Sequence, residues 1–207
     1  MKWLDRLEEI LIASLMAAAT LVIFVAVVHR YFSGWSWLGP IQDFLLSIHM
    51  SWATELCIIL FVWMAKFGAA YGVRQGIHVG VDVLVNKLSP EKRRITTLIA
   101  LGAGAFFTAL VAVLGFNLVW HNGMAYAVLS TLGMDTGAYY EGPTTPDLEW
   151  RTWVVYLAVP LGSALMCFRF LQVLVKYWRT GDLPHHDHGH VDGLEETDPY
   201  PVVEQKP

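Results

Sequence analysis

Charge is what this sequence has least of. Only 15% of its 207 residues are Asp, Glu, Lys or Arg, while 55% are apolar and mean hydropathy is +0.45. A soluble domain carries about 25% charged residues. So little charge cannot coat a water-facing globule, which argues against a soluble single-domain enzyme. Cysteine is also scarce: Cys57 and Cys167 lie in separate apolar runs with no Cys-x-x-Cys spacing, so no disulfide or zinc framework follows. There is no phosphate-cradling Gly-x-x-x-x-Gly-Lys, no Gly-x-Ser-x-Gly and no His-Glu-x-x-His. Nothing proposes a nucleophile or a general base, and the chain reads as a non-enzyme. A strong basic balance is missing too. The net charge of −4 divides into +2 for residues 1–180 and −6 for residues 181–207, where seven acids face Lys206. Neither part suits nucleic acid as a partner.

What the sequence does have is long apolar runs. Ile10–Val28, Leu56–Val73, Ile95–Val119 and Thr152–Val175 are each near the roughly 20 residues that cross a bilayer core. Backbone in lipid must satisfy its own hydrogen bonds, so these runs predict helices. The fold class expected is all-α: a polytopic membrane protein with four transmembrane helices plus short interfacial helices. Residues 1–180 form the membrane domain, and 181–207 an acidic, disordered tail. The first run exceeds a signal peptide's apolar stretch of about 7–15 residues and ends in Val28-His29-Arg30-Tyr31, without a small-x-small cleavage site; a retained anchor is expected. With the N-terminus inside, the inner flanks hold nine Lys and Arg and the outer loops only Arg30 and Arg151. This asymmetry places both termini in the cytoplasm. Trp35, Trp37, Trp52, Trp120, Trp150 and Trp153 then fall at the outer boundary.

After Pro40, the apolar positions Ile41, Phe44, Leu45, Ile48 and Trp52 recur at helical spacing. Two readings stand: a helix lying in the outer interface plane, or an extension of the second span. In the third span Ala100, Gly104, Thr108 and Ala112 make a small-residue stripe that permits close helix contact. The outer loop 121–151 shows no strong periodicity.

Two charges interrupt the spans, Lys66 and Arg169. Each either snorkels toward the inner headgroups or faces protein. Lys66 lies eleven residues after Glu55, about 16 Å along the helix axis, too far to pair. A proton or ion relay is disfavoured, because no second intramembrane carboxylate accompanies them. His29 and His121, at the outer ends of two spans, raise an alternative: a four-helix cytochrome b-type electron carrier. Without paired mid-span histidines this stays the runner-up, and no cofactor is expected. The tail cluster His185, His186, His188 and His190 is a weak metal candidate, since a flexible tail fixes no geometry.

The most informative stretch runs from Glu55 to Leu88. It reads Glu55-Leu56, Leu60-Phe61-x-Trp63, Gly68-Ala69-Ala70 and Arg74-x-Gly76-x-His78-Val79-x-Val81-Asp82. An acid opens the span, small residues allow close approach, and a polar corner closes it before a short second apolar patch. Arg74, His78 and Asp82 follow at i, i+4 and i+8, a shared face if helix continued, or otherwise local capping. Glu55 reads either as a helix N-terminal cap, which its position favours, or as a docking charge.

This pattern, over about residues 4–178, resembles the small integral-membrane subunit (DctQ-type) of tripartite ATP-independent periplasmic (TRAP) transporters. Val28-His29-Arg30-Tyr31 and Trp153, Tyr156, Pro160, Gly162 and Arg169 agree with it more weakly. The resemblance implies a scaffold in the bacterial inner membrane for a large membrane subunit, which carries the substrate and sodium sites. It also implies a periplasmic substrate-binding protein that delivers an organic acid, often a C4-dicarboxylate, for symport. Lys66, the 121–151 loop and the His-rich tail depart from the pattern, as does Thr54, where a second acid is common.

Overall fold

The computed structural model describes residues 2–35, 39–75 and 89–181. Helix α1 (Lys2–Ser33) begins eight residues before the apolar run, because neither Gly nor Pro interrupts the chain before Gly34. Helix α2 (Pro40–Ser47) starts with Pro at its first turn, where the missing N–H costs nothing. It stops at Ile48, whose backbone is extended. Helix α3 (Ser51–Gln75) then starts afresh. The segment after Pro40 is therefore a separate helix and not an extension of the second span, but it is shorter than the apolar spacing suggested, and Trp52 belongs to α3. None of its residues is buried; Ile41 and Phe44 are exposed. His29 Nε2 lies 3.0 Å from the Leu45 carbonyl, and Gln42 donates to the Ser33 carbonyl, so α2 hangs from the end of α1.

Helix α4 (Pro90–Val119) runs into a wide turn, Trp120–Met124, and on into α5 (Ala125–Thr131). The wide turn has a physical cause at Gly123, with φ of 112°. A Cβ there would collide with the Glu141 carbonyl, and one at Gly142 with the Asn122 carbonyl. The loop crosses the helix at two glycines because only glycine lets two backbones come so close. The loop seen in the sequence as featureless is thus ordered by its own contacts. Thr145 N–H donates to the Trp150 carbonyl, Thr152 N–H to the Pro143 carbonyl, and Arg151 pairs with Glu141 at 2.7 Å. Helix α6 (Thr152–Tyr156) and helix α7 (Ala158–Thr180) form the last span, joined through Leu157, whose backbone stays helical. Pro160 removes one bond of the ladder there, since it has no N–H to give the Tyr156 carbonyl four residues back.

Four helical stretches are long and apolar enough to cross a membrane: 5–33, 51–75, 92–131 and 152–180. Among the described residues there is no β-strand, only an isolated bridge between Thr144 and Arg151. The chain is a multi-pass, all-α membrane protein. Its helices form a row in the order α1, α3, α7, α4, and among the described residues α1 and α4 share no extensive contact. Small residues line the seams: Ala19 against Cys57 between α1 and α3, and Gly104 under the Phe170 ring between α4 and α7. Of the predicted small-residue stripe, Thr108 is buried and Gly104 lies under that ring, while Ala100 faces outward. Large apolar side chains such as Phe106, Phe107 and Val113 are exposed, as lipid-facing residues are in a membrane protein. One compact cluster of large residues, Leu101, Val173 and Tyr177, closes α4 on α7.

Candidate functional site

The most polar place inside the row is where α1, α3 and α7 meet. Arg169 of α7 has a side chain only 3% exposed. Its Nη2 lies 2.9 Å from Asp5 Oδ1 and 2.8 Å from Glu8 Oε2, its Nε donates to Glu8 Oε1, and its Nη1 donates to Gln172. Glu8 is 2% exposed. Arg74 of α3 shares Asp5 with it, 3.5 Å from Asp5 Oδ2, pairs also with Glu9 Oε1 at 3.7 Å, and lies over the Tyr71 ring. Buried charges persist when they are paired and fully hydrogen-bonded. This cluster meets that condition for Arg169 and joins three helices through side chains of opposite sign. Because α1 carries its acids in the turn before its apolar run, the clasp sits at the end of the row where α1 begins and α7 ends.

Arg169 therefore faces protein and does not snorkel. The premise that no carboxylate accompanies it is corrected: Asp5 and Glu8 do. They escaped sequence reasoning because they precede the first apolar run and read as solvated flank. The available signal was an i, i+3 pair of acids on one helix and a lone buried cation, with Gln172 three residues on, in another. Lys66 takes a different place. Its Cβ would lie 2.5 Å from a Cβ at Gly162, so its stem fills the seam between α3 and α7. Among the described residues it has no ion pair.

Among the described residues Gly68 does not supply close approach, since a Cβ there would meet nothing within 4 Å. That role falls to Gly162, whose neighbour is Lys66. Trp63 stacks at a tilt on Phe67 and is half-buried. Gly76, His78 and Asp82, with the face they were expected to share, lie outside the described residues, as do the tail histidines His185, His186, His188 and His190. Among the described residues no group of three metal-ligating side chains comes together.

At the opposite end Glu55 is not a helix cap. Helix α3 begins at Ser51, which puts Glu55 beyond the first turn's free N–H groups. Its Oε2 instead accepts from the backbone N–H of Asp147 (2.7 Å) and Leu148 (3.3 Å), tying the loop before α6 to α3. His29 and His121 each lie within hydrogen-bonding distance of a backbone carbonyl. They sit at the two outer helices of the row, which share no extensive contact among the described residues. The bis-histidine arrangement between facing helices is not built.

Residues 19–180 match the family described as tripartite ATP-independent periplasmic transporters, DctQ component. The chain is 51% identical to the C4-dicarboxylate TRAP transporter small permease protein DctQ of Rhodobacter capsulatus, over 93% of this chain and 85% of that protein. It is 32% identical to the protein of the same name in Vibrio cholerae, over 90% and 77% respectively. It is also 27% identical to the sialic acid TRAP transporter permease protein SiaT of Haemophilus influenzae, over 87% of this chain but only 24% of that longer protein. No solved structure matches. On this match and these relatives, the chain belongs to the DctQ family, the small permease subunits of TRAP transporters.

Proposed function

We propose that the chain is the static scaffold of a TRAP transporter that takes up a C4-dicarboxylate by ion-gradient-driven symport. The observation that carries this reading is the row itself. Four spans are locked edge to edge by small-residue seams and a buried ionic clasp, and the break in helix among the described spans lies at the wide turn Trp120–Met124. A substrate site in a secondary transporter calls for discontinuous helices whose ends converge on polar ligands near the midplane. Arg169, Asp5 and Glu8 are already engaged with one another. In this reading the cargo is held by a large permease subunit and delivered by a periplasmic binding protein. The match to about a quarter of SiaT supports a partner of that kind, because the rest of that permease is a much larger segment. The dicarboxylate comes from the names of the more similar relatives. The nine-to-two distribution of Lys and Arg supports a bacterial inner-membrane protein with both termini cytoplasmic.

Vesicles holding the large subunit, with binding protein and a sodium gradient outside, test the proposal by addition of this chain. Uptake of succinate is expected only when both membrane subunits are present, and none from this chain alone. Uptake by this chain alone would overturn the scaffold reading. Full uptake without it would show that the large subunit needs no scaffold.

A further inference from the structure

Beside the clasp, a cavity of about 890 Å³ opens along α7. Its α7 wall is one helical stripe: Phe168, Leu171 and Val175, then Lys176 and Arg179. Phe168, Leu171 and Val175 are exposed, so the cavity presents apolar surface that no part of the described chain covers. Four basic residues line it (Arg74, Arg169, Lys176 and Arg179) against a single acid, Asp5. Asp5 is already taken by two arginines and Arg169 by three partners. The uncommitted positive charge is therefore that of Lys176 and Arg179, neither of which has a side-chain ion pair among the described residues. Arg74 shares the wall, with its Nη1 already 3.7 Å from Glu9 Oε1 and lacking a hydrogen-bond acceptor.

We infer that this cavity holds one anionic phospholipid of the leaflet on the side where α1 begins and α7 ends. Its phosphate lies against Lys176, Arg179 and Arg74, and an acyl chain runs along Phe168, Leu171 and Val175. Basic pockets between membrane helices on the cytoplasmic side suit such headgroups. A free hydrated phosphate gains nothing from the apolar wall, whereas a lipid uses both parts. From Phe168 to Arg179 the stripe rises about 16 Å, close to half of a hydrocarbon core of about 30 Å. A lipid in one leaflet spans that depth.

The test is native mass spectrometry of the full chain, alone and with its large permease subunit. The protein is extracted from vesicles of phosphatidylcholine with or without phosphatidylglycerol of the same acyl chains. One phosphatidylglycerol per chain is expected, retained at least about tenfold over phosphatidylcholine, in both preparations. Lys176→Gln with Arg179→Gln should lower retention by about fivefold for each base removed. Lys92→Gln with Arg93→Gln, at the same end on α4, should leave it unchanged. Equal retention of phosphatidylcholine overturns the site, as does a loss shared by the α4 variant. Displacement by excess inorganic phosphate would mean a plain anion site. Exclusion of the lipid on assembly would mean that this face belongs to the partner subunit.

Discussion

Arg169→Ala is expected to lower the unfolding free energy of the detergent-solubilised chain by about 3–5 kcal/mol, the cost of stranding a buried charge. Glu8 would be left 2% exposed with no cation beside it, while Asp5 would keep Arg74. The paired replacement Glu8→Met with Arg169→Met removes both ions and leaves apolar volume behind. It should regain most of that loss, because apolar residues replace a buried ion pair at little or no cost. A double-mutant cycle from chemical unfolding would measure the coupling. If Arg169→Ala were as stable as the parent, the clasp would not hold the helices together. If the double variant were no better than the single one, the two residues would not be acting as a pair.

Two glycines in adjoining helices should respond in opposite senses. Gly162→Ala places a Cβ 2.5 Å from Lys66 Cβ, an atom fixed to the α3 backbone and unable to swing aside. The seam between α3 and α7 must open, and overpacking of this kind costs about 1–3 kcal/mol. Gly68→Ala meets nothing within 4 Å. It should be neutral or stabilise the lone chain by up to about 0.5–1 kcal/mol, as alanine does in a helix interior. Thermal unfolding of the two variants in one detergent distinguishes them. Equal destabilisation would mean that Gly162 is not the point of closest approach. Reduced assembly of Gly68→Ala with the large subunit, at unchanged stability, would assign Gly68 to that interface.

What the sequence revealed and what it concealed follow from the range of the interactions involved. Four spans and membership of the family were legible because apolar run length and a local motif are near-neighbour properties, whereas the segment after Pro40 left two readings that only the extended backbone at Ile48 separates. Arg169 was legible as a charge needing an explanation. Its partners were not, since Asp5 and Glu8 lie more than 160 positions away and nothing in their own surroundings marks them as buried. Glu55 carried a reading drawn from local position, a helix terminus. The loop residues it holds, Asp147 and Leu148, are some 90 positions distant. Gly68 and Gly162 look alike in sequence, and only the course of neighbouring helices tells that one of them is a contact.

The static role rests most directly on whether the row can be locked without stopping transport. Cys57 Sγ lies 3.8 Å from the Ala19 carbonyl across the α1–α3 seam, so Ala19→Cys offers it a disulfide partner. Cys167→Ser removes the other thiol, and loss of free thiol reports closure. A scaffold with a single arrangement has no population to shift, so uptake by the full transporter after oxidation should stay within about twofold of the reduced value. Uptake that disappears on oxidation and returns with reductant would contradict the account, because it would make motion between α1 and α3 part of the transport cycle.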